Sequence, residues 1–92
     1  MTSTPPRALI AEDEPLLAAA LRHELAAAWP ALQIAATVGD GRSAVREALA
    51  LLPDVLLFDI RMPAQNGLDA AVELADAWPA DRPFPALVFV TA

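Results

Sequence analysis

With 92 residues the chain is long enough for one layered domain and too short for a second. It has no cysteine and a single histidine, which excludes disulfides, thiolate chemistry and zinc sites built on sulfur, so any metal here must be a hard, oxygen-bound ion. Twelve acids against six bases, all arginine, give a net charge of −6 and argue against a nucleic-acid surface within this chain.

No apolar stretch approaches the roughly 20 residues of a membrane span. The N-terminal MTSTPPR lacks a cationic segment followed by an apolar block, so no secretory signal is visible and a cytoplasmic address is expected. Apolar runs alternate with helix-period segments, the pattern of an α/β domain with a parallel sheet. RALIA, residues 7–11, reads as a short strand apolar on both faces. Glu14 and Pro15 then open a helix, because proline is favoured at the first helical position, where its missing N–H costs nothing. Leu17, Leu21 and Leu25 form the expected inward stripe, with Ala20, Glu24 and Ala28 flanking it, and Trp29-Pro30 ends the helix. ALQIAATV, residues 31–38, predicts a second strand of lower hydrophobicity suited to a sheet edge, and VGDG is the turn after it.

A second helix is expected from about Arg42 to Leu51, with Val45, Ala48, Leu49 and Leu52 on one face and Pro53 as its stop. DVLLF, residues 54–58, shows no alternation, which suits a central parallel strand buried on both faces. A third helix follows Gly67, with Leu68, Ala71, Val72 and Ala75 inward, and ends near Trp78 and Pro79. The connector DRPFP is too rich in proline for regular structure, and ALVFVTA, residues 86–92, is the last strand.

The chemistry centres on Asp59, a carboxylate delivered by the apolar run DVLLF onto a loop punctuated by Pro63 and Gly67. Glu12 and Asp13 follow RALIA in the same way, so two adjacent parallel strands would bring three carboxylates to one sheet edge. Open α/β sheets bind ligands at that edge, where successive connections diverge to opposite faces. Repulsion among three carboxylates is costly unless a cation compensates, and Mg²⁺ prefers a few carboxylates plus waters and phosphate oxygens. A competing view makes Glu12, Asp13 and Glu14 ordinary helix N-terminal acids favoured by the macrodipole. It leaves Asp59 without an explanation. A carboxylate attacking a phosphoryl group yields an aspartyl phosphate, and a metal neutralises the developing charge. The backbone carbonyl of Arg61, two residues beyond Asp59, lies within reach of the same metal.

Thr91, at the carboxyl end of the last strand, offers a hydroxyl to a phosphoryl oxygen, although threonine is also simply a good strand former. GDGRSA, residues 39–44, matches a dinucleotide fingerprint, with Asp59 lying 20 residues after Gly39, but it follows the second strand rather than the first. His23 lies nearly opposite the leucine stripe and reads as a solvent-facing helix residue. Trp29 and Trp78 read as packing residues at helix ends, and Met62-Pro63 as loop packing.

Taken together, Glu12-Asp13, GDG before the second helix, PDVLLFDIRMP, Gly67 and LVFVTA resemble the receiver domain of bacterial two-component response regulators over essentially the whole chain. ALIAEDEPLL and FDIRMP further resemble receivers attached to LytTR-type DNA-binding domains. The resemblance implies a flavodoxin-like, doubly wound parallel sheet of strand order 2-1-3-4. It implies that Asp59 accepts a phosphoryl group from a sensor histidine kinase, and that Glu12, Asp13, Asp59 and the Arg61 carbonyl hold Mg²⁺, with Asp13 the more direct ligand. Thr91 would move toward the phosphoryl group and couple it to a surface change, relayed to an output domain, DNA-binding by this resemblance, outside the chain. Any enzymatic activity would be limited to self-phosphorylation from a phosphodonor and loss of that phosphate.

Receivers have five strands and five helices, so residues 1–92 are expected to form a receiver incomplete at its C-terminus, without the fifth strand or its phosphate-binding lysine; the chain contains no lysine. The fourth strand is then expected to be an exposed apolar edge open to self-association. The alternative is a pseudo-receiver, an interaction module that signals without phosphorylation. A phosphatase of the haloacid dehalogenase kind would need a second aspartate two residues after the nucleophile, where Arg61 stands.

Overall fold

A computed structural model describes residues 4–90. Its elements, in chain order, are β1 (Arg7–Ala11), α1 (Pro15–Ala28), β2 (Gln33–Val38), α2 (Gly41–Leu51), β3 (Val55–Asp59), α3 (Gly67–Ala77) and β4 (Ala86–Val90). The strands form one sheet in the order β2-β1-β3-β4, with every pairing parallel. This is the doubly wound sheet that the sequence predicts, with β3 and β2 beginning one and two residues later than expected. Thr91, expected at the end of β4, lies outside the described residues.

Alternation along the central strands divides the core into two layers. Leu9 and Ala11 of β1 with Leu56 and Phe58 of β3 pack against Ala44, Val45 and Ala48 of α2 and Ala70 and Leu74 of α3. Ala8 and Ile10 with Val55 and Leu57 form the opposite layer, joined by Leu32 and by Leu21 and Leu25 of α1. With helices on both faces, β1 and β3 have no solvent side, which is why neither carries a polar alternation.

The helix starts follow from local hydrogen bonding. Glu14, Asp40 and Asn66 each cap a helix, their side chains accepting from Leu16 N–H at 3.1 Å, Ser43 N–H at 2.7 Å and Asp69 N–H at 2.8 Å. Helix α2 ends at Leu52, held in the left-handed region at φ 49° just before Pro53. The Arg7 guanidinium donates to the Leu51 and Leu52 carbonyls there, satisfying orphan acceptors at the helix C-terminus. The GDG turn is thereby a capping turn: Asp40 is committed to Ser43, whose N–H holds its carboxyl below the usual carboxylate range with help from the Ser43 hydroxyl.

Two helix faces differ from the sequence reading. In α1 the buried residue is Ala18, with Leu21 and Leu25 half-buried, whereas Leu17 is 42% exposed. In α3 the buried residues are Gly67, Ala70, Ala71 and Leu74. Leu68 and Val72, expected inward, are 48% and 63% exposed, and Ala75 is exposed as well. The true α3 face is rotated by about 100°, the turn of one helical residue. On this face Ala70 and Leu74 pack against Ala44, Val45 and Ala48 of α2 as well as the sheet. We expect Leu74→Ala to lower the unfolding free energy by about 3 kcal/mol, and Val72→Ser to change it by no more than about 0.5 kcal/mol. Urea denaturation of both variants checks this, and the reverse order would contradict the observed rotation.

Candidate metal centre

Parallel pairing of β1 with β3 places Ala11 opposite Phe58, so the chain leaves both strands at the same level. The next residue on each is acidic: Glu12 after β1, and Asp59 at the end of β3. Glu12 extends the ladder on its other side, its N–H donating to the Val38 carbonyl at 2.9 Å. Glu12, Asp13 and Asp59 each contribute a carboxylate oxygen to a cluster whose members all lie within 4.8 Å of one another. The three acids read from the sequence thus converge at the carboxyl edge of the sheet.

Their surroundings are unequal. Glu12 is only 7% exposed, Asp59 is half-buried and Asp13 is exposed. Glu12 Oε2 accepts the Glu14 N–H at 3.0 Å, and Asp59 Oδ1 accepts the Arg61 N–H at 3.1 Å. Among the described residues no arginine forms an ion pair with any of the three. Burial pushes the Glu12 carboxyl above its ordinary value of 4.5; the Glu14 N–H opposes this, and the neighbouring Asp59 and Asp13 carboxyls reinforce it. An all-oxygen donor set with surplus negative charge fits a hard cation such as Mg²⁺.

The loop from Asp59 to Gly67 is fixed from several sides. Met62 is buried in the layer beneath α2 and α3, so FDIRMP anchors the loop as well as carrying Asp59. Ala64 occupies the left-handed region at φ 66°. The Gly67 N–H donates to the Ile60 carbonyl at 2.9 Å, closing the base of the loop. A Cβ on Gly67 would stand 2.3 Å from the Asp59 carbonyl oxygen, so α3 can approach the Asp59 backbone only through glycine. Arg61 itself is exposed, placed beside Asp59 by its N–H. His23 is exposed on α1, as expected. Gln65 was not legible as a site residue; its Nε2 donates to Glu73 Oε1 at 3.0 Å and ties the loop tip to α3.

A family model described as the response regulator receiver domain matches residues 8–92. The chain belongs to that family. This receiver is 40% identical over 85 residues to an uncharacterized response regulatory protein of Vibrio cholerae, covering 92% of this chain and 31% of the relative. It is 42% identical over 77 residues to the transcriptional regulatory protein PdtaR of Mycobacterium tuberculosis, covering 79% of this chain and 35% of that protein. The fold matches the response regulator domain of Thermotoga maritima CheB with a TM-score of 0.80 at 27% identity, covering 94% of this chain and 60% of that one. The receiver spans about a third of the length of these curated relatives. Two-component signalling is therefore the setting of this domain, and its sheet is the flavodoxin-like sheet expected from the sequence.

The raised Glu12 pKa has a signed consequence. A carboxyl whose folded value exceeds its unfolded one adds stability that is fully present below about 4.5 and lost as pH rises through the folded value. In EDTA at pH 7.5, Glu12→Gln is expected to melt higher than the native chain, with the gap closing as pH falls toward 4.5. Added Mg²⁺ should raise the native melting temperature and leave the variant nearly unchanged. Thermal unfolding with and without Mg²⁺ decides this; a variant that melts lower in EDTA at pH 7.5 contradicts it.

Proposed function

We propose that this receiver is the phosphoacceptor of a two-component response regulator, with Asp59 as the residue that takes the phosphoryl group. The convergence of Glu12, Asp13 and Asp59 within 4.8 Å carries the reading. Glu12, Asp13 and Asp59, with the Arg61 carbonyl, would hold Mg²⁺, Asp13 being the most open to solvent and the most direct ligand. The ion supplies positive charge to offset that of the transferring phosphoryl oxygens.

The chain's own residues do the rest. The Arg61 N–H engages Asp59 Oδ1 and leaves Oδ2 without a hydrogen-bond donor among the described residues. That oxygen attacks phosphorus, a new O–P bond forms, and the P–N bond to the donor imidazole breaks, its electron pair staying on nitrogen. The donor is a phosphohistidine of a sensor kinase, as membership of the family supports. Thr91 follows Val90, the β4 residue in register with Asp59, and its hydroxyl is assigned to a phosphoryl oxygen as the switch contact. Loss of the phosphate by attack of water on phosphorus regenerates the Asp59 carboxylate.

The signal passes to an output segment outside residues 1–92. A DNA-binding output of the LytTR kind is supported by the ALIAEDEPLL and FDIRMP motifs, and the name of the PdtaR relative supports a transcriptional role. A cytoplasmic site of action accompanies this reading. Among the described residues, no helix is long and apolar enough to cross a membrane.

Treating the chain with Mg²⁺ and acetyl phosphate should add one phosphoryl group, acid-stable and base-labile, located at Asp59 by mass spectrometry. Asp59→Ala should remove it. A folded native chain that gains no adduct sinks the phosphoacceptor role and leaves a pseudo-receiver that signals by interaction alone.

Strand β4 pairs only with β3 among the described residues, and it carries no charge to blunt its open edge. Val88 and Phe89 are exposed on its two faces. Both facts support self-association of the chain along β4. Light scattering coupled to size exclusion should show a mass that rises toward a dimer with concentration, and Val88→Lys should hold it at one chain. A native chain that stays monomeric at every concentration refutes the association.

A further inference from the structure

The first residue of α2 lies against the tip of the loop that leaves Asp59. A Cβ on Gly41 would sit 2.0 Å from the Gln65 carbonyl oxygen, 2.6 Å from its carbonyl carbon and 2.7 Å from its Cβ. Two of those atoms are backbone and cannot rotate aside, so any side chain at position 41 must displace the loop. Gly41 does not have a positive φ, so it is space rather than backbone conformation that demands glycine here. Gly39, two residues earlier, would bring a Cβ no closer than 3.7 Å to the Asp13 Cα, an ordinary contact.

Gln65 is held from the other side as well. Its Nε2 donates to Glu73 Oε1 of α3 at 3.0 Å, while its Oε1 is buried with no hydrogen-bond partner among the described residues. Half of the amide is thus held by α3 and half by close packing alone. Between this tip and the cation site the loop is short and stitched. Gln65 N–H donates to the Pro63 carbonyl at 2.7 Å, Ala64 is left-handed, Met62 is buried, and Gly67 N–H closes onto Ile60 at 2.9 Å. A displacement at Gln65 therefore has little slack to absorb it before Arg61 and Asp59.

We infer that Gly41 is a positioning residue for the cation site of Glu12, Asp13 and Asp59, acting through Gln65 and the loop between β3 and α3. The inference rests on the phosphoacceptor reading above, because that reading assigns Arg61 and Asp59 to the ion. It gives α2, which supplies no ligand, a part in setting metal affinity.

The test measures Mn²⁺ binding to the full chain by the electron paramagnetic resonance of free ion, for the native protein, Gly39→Ala, Gly41→Ala and Gln65→Gly. Alanine has the higher helix propensity, so without a steric conflict Gly41→Ala would be folded and neutral. The expected result is a loss of affinity of about tenfold in Gly41→Ala, none in Gly39→Ala, and shifted amide resonances across residues 60–66. A folded Gly41→Ala that binds Mn²⁺ like the native chain overturns the inference. Should that variant not fold, Gln65→Gly carries the test, since it removes the Cβ that faces Gly41 and cuts the Glu73 bond without adding an atom; unchanged affinity there overturns the inference equally. A native chain that binds no Mn²⁺ fails the phosphoacceptor reading instead, and unmoved amides at 60–66 in Gly41→Ala then overturn the positioning role on their own.

Discussion

The parallel register of β1 against β3 is the constraint from which the rest of the site follows. Because Ala11 stands opposite Phe58, the residues that come next have to share one edge, and those residues are Glu12 and Asp59. Four apolar side chains on each face of these two strands commit them to the centre of the sheet, so the register cannot slip without moving both core layers. The acids are consequently fixed in a position that is poor for stability. Glu12 is buried beside two like charges and is held in its proton-binding state more strongly than an ordinary glutamate. Such a cluster makes sense as a site kept incomplete in the protein alone and completed by a cation.

The loop after β3 turns that placement into chemistry. Asp59 is short, and its backbone is pinned between the strand behind it and the N-terminus of α3 in front, where Gly67 permits contact that any Cβ would block. Beyond that start, α3 buries Ala70, Ala71 and Leu74 and turns Leu68 and Val72 to solvent.

Much of this was legible from the residues alone. Unbroken apolar runs marked β1 and β3, capping residues and prolines marked the helix starts, and three acids at strand ends marked the site. What was not legible depended on tertiary distance. Large side chains suggest an inward face, and Leu21 and Leu25 of α1 do pack against the core, but Leu17, Leu68 and Val72 are exposed while Ala18, Ala70 and Ala71 are buried. Met62 read as a packing detail and proves to be the anchor of the loop. Gln65 and Glu73 carry no motif, being eight residues apart with nothing in the sequence to join them. GDG matched a nucleotide fingerprint in letters only; in the structure Asp40 is spent on capping α2.

If a single hard cation completes the cluster of Glu12, Asp13 and Asp59, substoichiometric Mn²⁺ will reveal it by paramagnetic broadening in the ¹H–¹⁵N spectrum. Amides of residues 11–14 and 58–61 should broaden first and together, while those of the α2 C-terminus and of Asp76 and Asp81 stay sharp. Broadening spread evenly over the exposed acids, with no preference for the sheet edge, would contradict it.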